Sequence, residues 1–295
     1  MSHPATARAA APASAILDDY SLEITARDTE SLRASAPLIP AGTTISVTFL
    51  PGEAPEQRIA AARLVRALGF EPMPHFSARC LTSREEFETY LVRLAEEAGV
   101  RRCFAIAGDA QTPDGPFSDT AALLSTGAFE RAGIRMLGVG GHPEGHPNMT
   151  EVQCWEVLER KCADITARGM APLIVTQFGF DTDRFLAWLR ELRERGIEHP
   201  VRIGVPGPAG IKTLLRFAAR CGVGASASVM AKYGISITRL MGTAGPDKMV
   251  ARLSGALGPR HGAVRLHFYP FGGLGKTVEW ITARQASGTS DLAAE

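Results

Sequence analysis

The sequence predicts an α/β fold, a single (β/α)8 TIM barrel with extra helices before its last strand. Short apolar runs alternate with longer amphipathic stretches about eight times along the chain, the pattern of a parallel sheet covered by helices. The 295 residues match one barrel of about 250 residues plus tails. Composition does not break along the way, and 45% hydrophobic with 21% charged residues is that of a chain with a sizeable core. An open doubly wound sheet is the alternative architecture. It calls for a glycine fingerprint after the first strand, where this chain has Arg27, Asp28, Thr29 and Glu30.

The predicted strands are Tyr20–Thr25, Thr43–Phe49, Glu71–Phe76, Arg102–Ala107, Ile134–Val139, Pro172–Phe178, Val201–Val205 and Val264–Tyr269. Helical patterns lie between them at Pro55–Leu68, Ser83–Ala98, Thr150–Arg168, Asp181–Arg195 and Pro208–Arg220. The run from Thr82 to Glu85 resembles a capping box, and Asp181 suits an N-cap. Gly69, Gly99, Gly133, Gly169 and Gly196 each follow a predicted helix, where a left-handed cap is wanted. Ser226–Pro259 is too long for one helix and is expected to hold one or two extra helices before the last strand. Residues 1–15 read as a disordered N-terminal tail, 16–285 as the barrel, and 286–295 as a flexible C-terminal tail.

A net charge of +1 gives no field to attract nucleic acid or an anionic membrane. No apolar run reaches the roughly 18 residues of a membrane span, and the N-terminal segment lacks a secretory core, so the expectation is cytoplasmic. Five cysteines, Cys80, Cys103, Cys154, Cys162 and Cys221, are odd in number and widely spaced, which argues for a reducing compartment and against a structural zinc site.

In a barrel, the polar residues at strand C-termini build the site. That places Glu23 in the first strand, Thr48 in the second and His75 in the third. Gly108 and Asp109 follow the fourth, GVGGHPEGHP follows the fifth, and Gln177 lies in the sixth. A barrel has no edge strand, so the Glu23 carboxylate must find a partner or keep its proton, which makes it a candidate acid. Gln177, an amide in an apolar run, needs a specific hydrogen bond. His142 and His146 have the spacing of a helical zinc pair, but Pro143 and Pro147 oppose a regular helix, and no metal is expected. GGLGKT at 272–277 has the wrong glycine spacing and position for a P-loop. A phosphate cradle formed by the seventh and eighth loops stays open, and with it a barrel lyase or aldolase acting on a phosphorylated substrate. That alternative wants a catalytic lysine at a strand end, and no lysine falls in a predicted strand.

The ordered series YSLEIT, SVTF, PHF, AGD, HPEGHP, VTQFGFD and LHFYPFG resembles the methylenetetrahydrofolate reductase family over about residues 20–285. The resemblance implies an oxidoreductase of one-carbon metabolism and methionine biosynthesis. Such an enzyme reduces 5,10-methylenetetrahydrofolate to 5-methyltetrahydrofolate with NADH or NADPH, usually through FAD. It implies Glu23 as the catalytic acid that protonates N10, tuned upward by burial, with Asp109 contacting the pterin beside the flavin. Gln177 is implied as a contact shared by folate and nicotinamide, and Tyr269 as a residue near the substrate. Thr48, His75, Gly108, Ser118, His142, His146, Arg160 and Lys161 fall on cofactor positions. The chain departs from the flavin pattern at Ala107, Phe117, His142, Cys154, Val157 and Gly273, so FAD is expected to be weak or absent, with Phe117 and His142 lining the vacated space. A non-catalytic folate-binding partner protein is the third reading, opposed by the presence of Glu23. A homo-oligomer stays open.

Overall fold

The computed structural model describes residues 16–50, 52–220, 223 and 242–292. Eight parallel strands close on themselves: β1 (Ser21–Ile24), β2 (Thr44–Val47), β3 (Glu71–Ser77), β4 (Arg102–Ile106), β5 (Met136–Gly141), β6 (Ala171–Phe178), β7 (Val201–Pro206) and β8 (Val264–Tyr269). Closure is made by β8 pairing with β1, with Ser21 opposite His267 and Leu22 opposite Phe268. The doubly wound alternative is thereby excluded.

The main helices are α1 (Thr29–Ser35), α2 (Pro55–Ala67), α3 (Arg84–Glu97), α4 (Thr120–Ser125), α5 (Ala128–Arg131), α6 (Glu151–Ala167), α7 (Thr182–Glu194), α8 (Ile211–Arg220), α9 (Asp247–Ala256) and α10 (Leu274–Leu292). Local chemistry sets their ends. Thr150 and Gln153 form a reciprocal capping box at the start of α6, and Asp181 caps α7. At α2 the chain leaves through Gly69 (φ 85°), whose neighbour Phe70 returns a backbone N–H to Val65 O at 3.1 Å, closing a Schellman motif.

Four expectations need correction. The box at α3 sits one residue later than its sequence suggests: Ser83 Oγ accepts from Glu86 N, and the Glu86 carboxylate accepts from Thr82. The helix expected from Pro208 begins at Ile211, because Ala209–Gly210 first pairs antiparallel with Thr243–Ala244. The fifth strand begins at Met136 because its ladder partners are Arg102 and Ala171. The last helix continues into the segment expected as a C-terminal tail, and Gln285 Nε2 ties it to Leu17 O at 3.1 Å. Of the long stretch before β8, α9 is described, while residues 224–241, like the N-terminal tail and Cys221, lie outside the described residues.

Strand alternation sorts side chains into two sets. Outward residues such as Leu22, Ile24, Phe76 and Phe268 join the large core under the helices. Inward residues form a second, smaller cluster of Met73, Phe104, Leu173 and Val175 inside the barrel. Below it, Arg102 crosses the lumen to donate to Thr44 Oγ1 at 3.0 Å, and Arg202 is held by Asp19. Above it, the same inward register brings up Glu23, Thr48, His75, His267 and Tyr269. The plug of apolar side chains is therefore the floor of a polar site at the C-terminal face.

Candidate active site

A cavity of about 670 Å³ opens at that face. One wall carries Glu23, Thr48, Gly108 and Asp109; the other is aromatic, with Phe178, Phe217, Tyr269 and Phe271. The aromatic wall is preassembled. Phe217 stacks on Phe271 at 4.1 Å, Tyr269 lies nearly parallel to Phe271 at 5.8 Å, and Phe178 meets both edge-on. Tyr269 is oriented by donating its hydroxyl to Thr176 O at 3.0 Å. Such a wall suits a planar ring, and the opposite wall supplies the polar groups to orient it.

Glu23 is the charged centre of the site. Its Oε2 lies 3.7 Å from Nε2 of His75 and 3.6 Å from Nε2 of His267. Burial pushes the carboxyl pKa up, but hydrogen bonding and charge from His267, the charge of His75 and the Thr48 hydroxyl outweigh it, so Glu23 lies below its ordinary value. This corrects the expected upward tuning: β3 and β8 bring two imidazoles to a carboxyl whose pKa burial alone would have raised. His75 itself is pushed down to about 4 by burial, against the opposing pull of Glu23, so its imidazole is neutral near pH 7.

Gly108 (φ 90°) lets the β4 loop pass within reach of Ser77, where an added Cβ would lie 3.0 Å from its hydroxyl. The turn presents Asp109 at the exposed rim of the cavity. Gln177 lies where the β6–β7 register shifts, between Val175 and Phe178, and is not among the residues that line this cavity. Its Nε2 donates to Gly145 O at 3.2 Å, while its buried Oε1 has no hydrogen-bond partner. That acceptor is open to a donor.

The expected cofactor residues divide. Thr48 and Gly108 line the cavity, and His75 stands beside Glu23. Ser118 is exposed, its carbonyl taken by Arg79 at 2.8 Å, and Arg160 is exposed on α6. His142 and His146 meet edge to face at 5.0 Å; burial lowers both, with Lys161 contributing, and pushes His142 down to about 4. Burial also lowers Lys161, against Asp119. His142 and Cys154 line a separate cavity of about 250 Å³ between α6 and α7, beside the stacked Trp155 and Trp188. Phe117 does not line vacated space: it is buried in the core against Phe87 at 5.6 Å. The residues present do not fit a whole flavin dinucleotide, because those at the ring end share the cavity and the others do not converge on it. Among the described residues no third ligating side chain joins the two histidines, and no helix is long and apolar enough to cross a membrane.

The glycine-rich seventh and eighth loops pack on each other and do not form an open cradle. A Cβ at Gly207 would meet Thr277 at 2.3 Å, and one at Gly272 would meet Pro208 O at 2.0 Å.

Against known proteins, residues 29–271 match the family model for methylenetetrahydrofolate reductase. The chain belongs to the methylenetetrahydrofolate reductase family. Within that family it is 25% identical over 173 residues to methylenetetrahydrofolate reductase (NADH) 1 of Arabidopsis thaliana, covering 55% of this chain and 29% of the relative. It is 33% identical over 84 residues to methylenetetrahydrofolate reductase 2 of Saccharomyces cerevisiae, covering 28% and 13%. The chain thus spans under a third of the curated relatives it matches. The family barrel also resembles an uncharacterized Clostridium thermocellum protein that binds two copies of 5-methyl-5,6,7,8-tetrahydrofolic acid, with a TM-score of 0.61 and 12% identity over 91% of this chain and 93% of that one. A dihydropteroate synthase from Thermus thermophilus superposes with a TM-score of 0.51 at 15% identity, covering 93% and 94%. Both likenesses concern the fold.

Sequence reasoning missed His267, Ser21 and the ring set of Phe178, Phe217 and Phe271. His267 was legible in principle: it stands two residues before Tyr269 in a strand, so both share the inward face.

Proposed function

We propose that this barrel interconverts 5,10-methylenetetrahydrofolate and 5-methyltetrahydrofolate, with NADH or NADPH as hydride source. The observation that carries the reading is a carboxylate, Glu23, held between two imidazoles in a cavity with an aromatic far wall, in a chain of this family. The pterin and the nicotinamide are both flat and edged with donors and acceptors, which suits Gln177 Oε1 and the Asp109 carboxylate. Opening the imidazolidine ring leaves a cation at N5 and requires a proton at N10. Glu23 supplies that proton, and its ionised form stabilises the cation. When bound, the reduced nicotinamide supplies the hydride.

FAD is proposed to be weak or absent. Ala107 offers no guanidinium, Phe117 is committed to the core, and Cys154 faces a different cavity. The protein is proposed to act in the cytoplasm without nucleic acid or membrane. The lyase or aldolase alternative loses its support, since the described lysines lie on helices α6, α8, α9 and α10 and not on a barrel strand. Chromatographic detection of 5-methyltetrahydrofolate formed from the methylene substrate tests the reading. Absence of product with either nicotinamide, in both directions, would overturn it.

A further inference from the structure

The second cavity, of about 250 Å³, lies where the turn after β5 meets α6 and α7. The reaction proposed above uses none of its carboxylates. Glu144, the acidic residue of HPEGHP, lines it with a side chain only 1% exposed. One of its oxygens, Oε1, is buried with no hydrogen-bond partner. The other, Oε2, lies 3.8 Å from Arg184 Nε, too far for a hydrogen bond, and the Arg184 side chain is 57% exposed.

A buried carboxyl group ordinarily comes with a cation or with several donors. Here burial raises the Glu144 pKa, and the charge of Arg184 with the backbone N–H groups of Phe180 and Asp181 does not offset it. Positive charge is in short supply beside this group. The rest of the lining makes the shortage worse. Glu151 in the first turn of α6 and Glu191 on α7 add two carboxylates, and Arg184 is the one Lys or Arg among the described lining residues. His142, pushed down to about 4 by burial, is neutral near pH 7.

Trp155 and Trp188, stacked at 5.4 Å, supply the apolar part of the lining. Arg195 lies 4.6 Å over the Trp155 ring, so this indole pair already hosts one organic cation. A metal ion is not what the lining suits, because among the described residues no three His, Cys, Asp or Glu side chains gather as ligands. An ammonium head donating to Glu144 Oε1, on a short alkyl chain packed against the indoles, answers both features at once.

We propose that this cavity is a second ligand site, for a compact primary alkylammonium ion, with Glu144 as counter-ion and the Trp155–Trp188 pair holding the chain. Arg184 is then a competing cation at the same carboxyl group.

The test is NMR of the indole Nε1–H signals of the full chain, titrated with n-butylammonium chloride, with n-butanol, and with sodium chloride at matched ionic strength. Trp280 serves as the reference, since it lies on α10 and donates to Asp247 at 3.1 Å. The Trp155 and Trp188 signals should shift saturably with n-butylammonium at about 1–10 mM, a range suited to so small a ligand. Butanol and salt should leave them in place, and Trp280 should not respond. Glu144→Gln keeps the shape and removes the charge, and should weaken binding by about 10- to 100-fold. Arg184→Gln should act in the opposite sense and tighten binding by about two- to tenfold, because it removes the competing charge. Absence of a saturable shift, an equal response to butanol, or parent affinity in Glu144→Gln would overturn the proposal. If Glu144→Gln melts well below the parent, the exposed Arg184 decides alone: unchanged or weaker binding in Arg184→Gln would overturn it.

Discussion

In the proposed reaction Glu23 is the residue on which the chemistry turns, because ring opening at N10 and a cation at N5 would both draw on a carboxyl group there. Glu23→Gln keeps the shape and the contacts with His75 and His267 but cannot protonate nitrogen. Folate reduction should fall by roughly 10²- to 10⁴-fold while NAD(P)H binding survives, as stopped-flow turnover and nucleotide titration would read. Gln177→Ala removes the open Oε1 acceptor and the tie to Gly145. Michaelis constants for folate and nicotinamide should rise together by about 5- to 150-fold, the effect of about 1–3 kcal/mol of unpaired polar groups. A loss of stability with normal kinetics in the folded fraction would return Gln177 to a structural role. Glu23 was legible in the sequence because a carboxylate inside an apolar barrel strand has no solvent to meet. Its lowered pKa was not, since that depends on His267, which meets it when β8 closes the barrel on β1, and on His75, which β2 and β3 bring alongside.

At the scale of elements, the strands were legible because their apolar runs are short and bounded by turn residues, and the helices because their caps are written locally. Thr150 and Asp181 name their own helix starts. What periodicity could not give was the pairing of Ala209–Gly210 with Thr243–Ala244, a long-range contact that sets back the start of α8. Nor could it give the close passage of β6 and β7. Gly204 sits where a Cβ would lie 2.5 Å from the Gln177 carbonyl oxygen, and its N–H donates to Thr176 Oγ1 at 2.8 Å. Gly204→Ala should therefore push β6 outward at the residue proposed to hold both ligands. Thermal melting should show a loss of about 1–3 kcal/mol, accompanied by a raised folate Michaelis constant. An unchanged melting midpoint would mean that the two strands part more easily than their backbone contact implies.

For the whole molecule, buried histidines make stability depend on pH in a predictable sense. His75 is pushed from 6.5 down to about 4, so the unfolded chain binds a proton that the folded one refuses. Stability is then full above about pH 6.5 and is lost as pH falls toward 4. His142 adds to the same slope. Urea midpoints should decline through that window, and His75→Gln should flatten the decline; a midpoint constant through it would contradict the burial of a neutral imidazole. The central proposal is a folate oxidoreductase that works with weak flavin or none. Its most direct test takes extensively dialysed protein, records the visible spectrum, and follows oxidation of NADH or NADPH on addition of 5,10-methylenetetrahydrofolate, for the parent and for Glu23→Gln side by side. The account predicts a colourless parent that oxidises nicotinamide in step with formation of 5-methyltetrahydrofolate, and a Glu23→Gln protein slower by the factor given above. A parent inert with both nicotinamides, or a Glu23→Gln protein as fast as the parent, would contradict it.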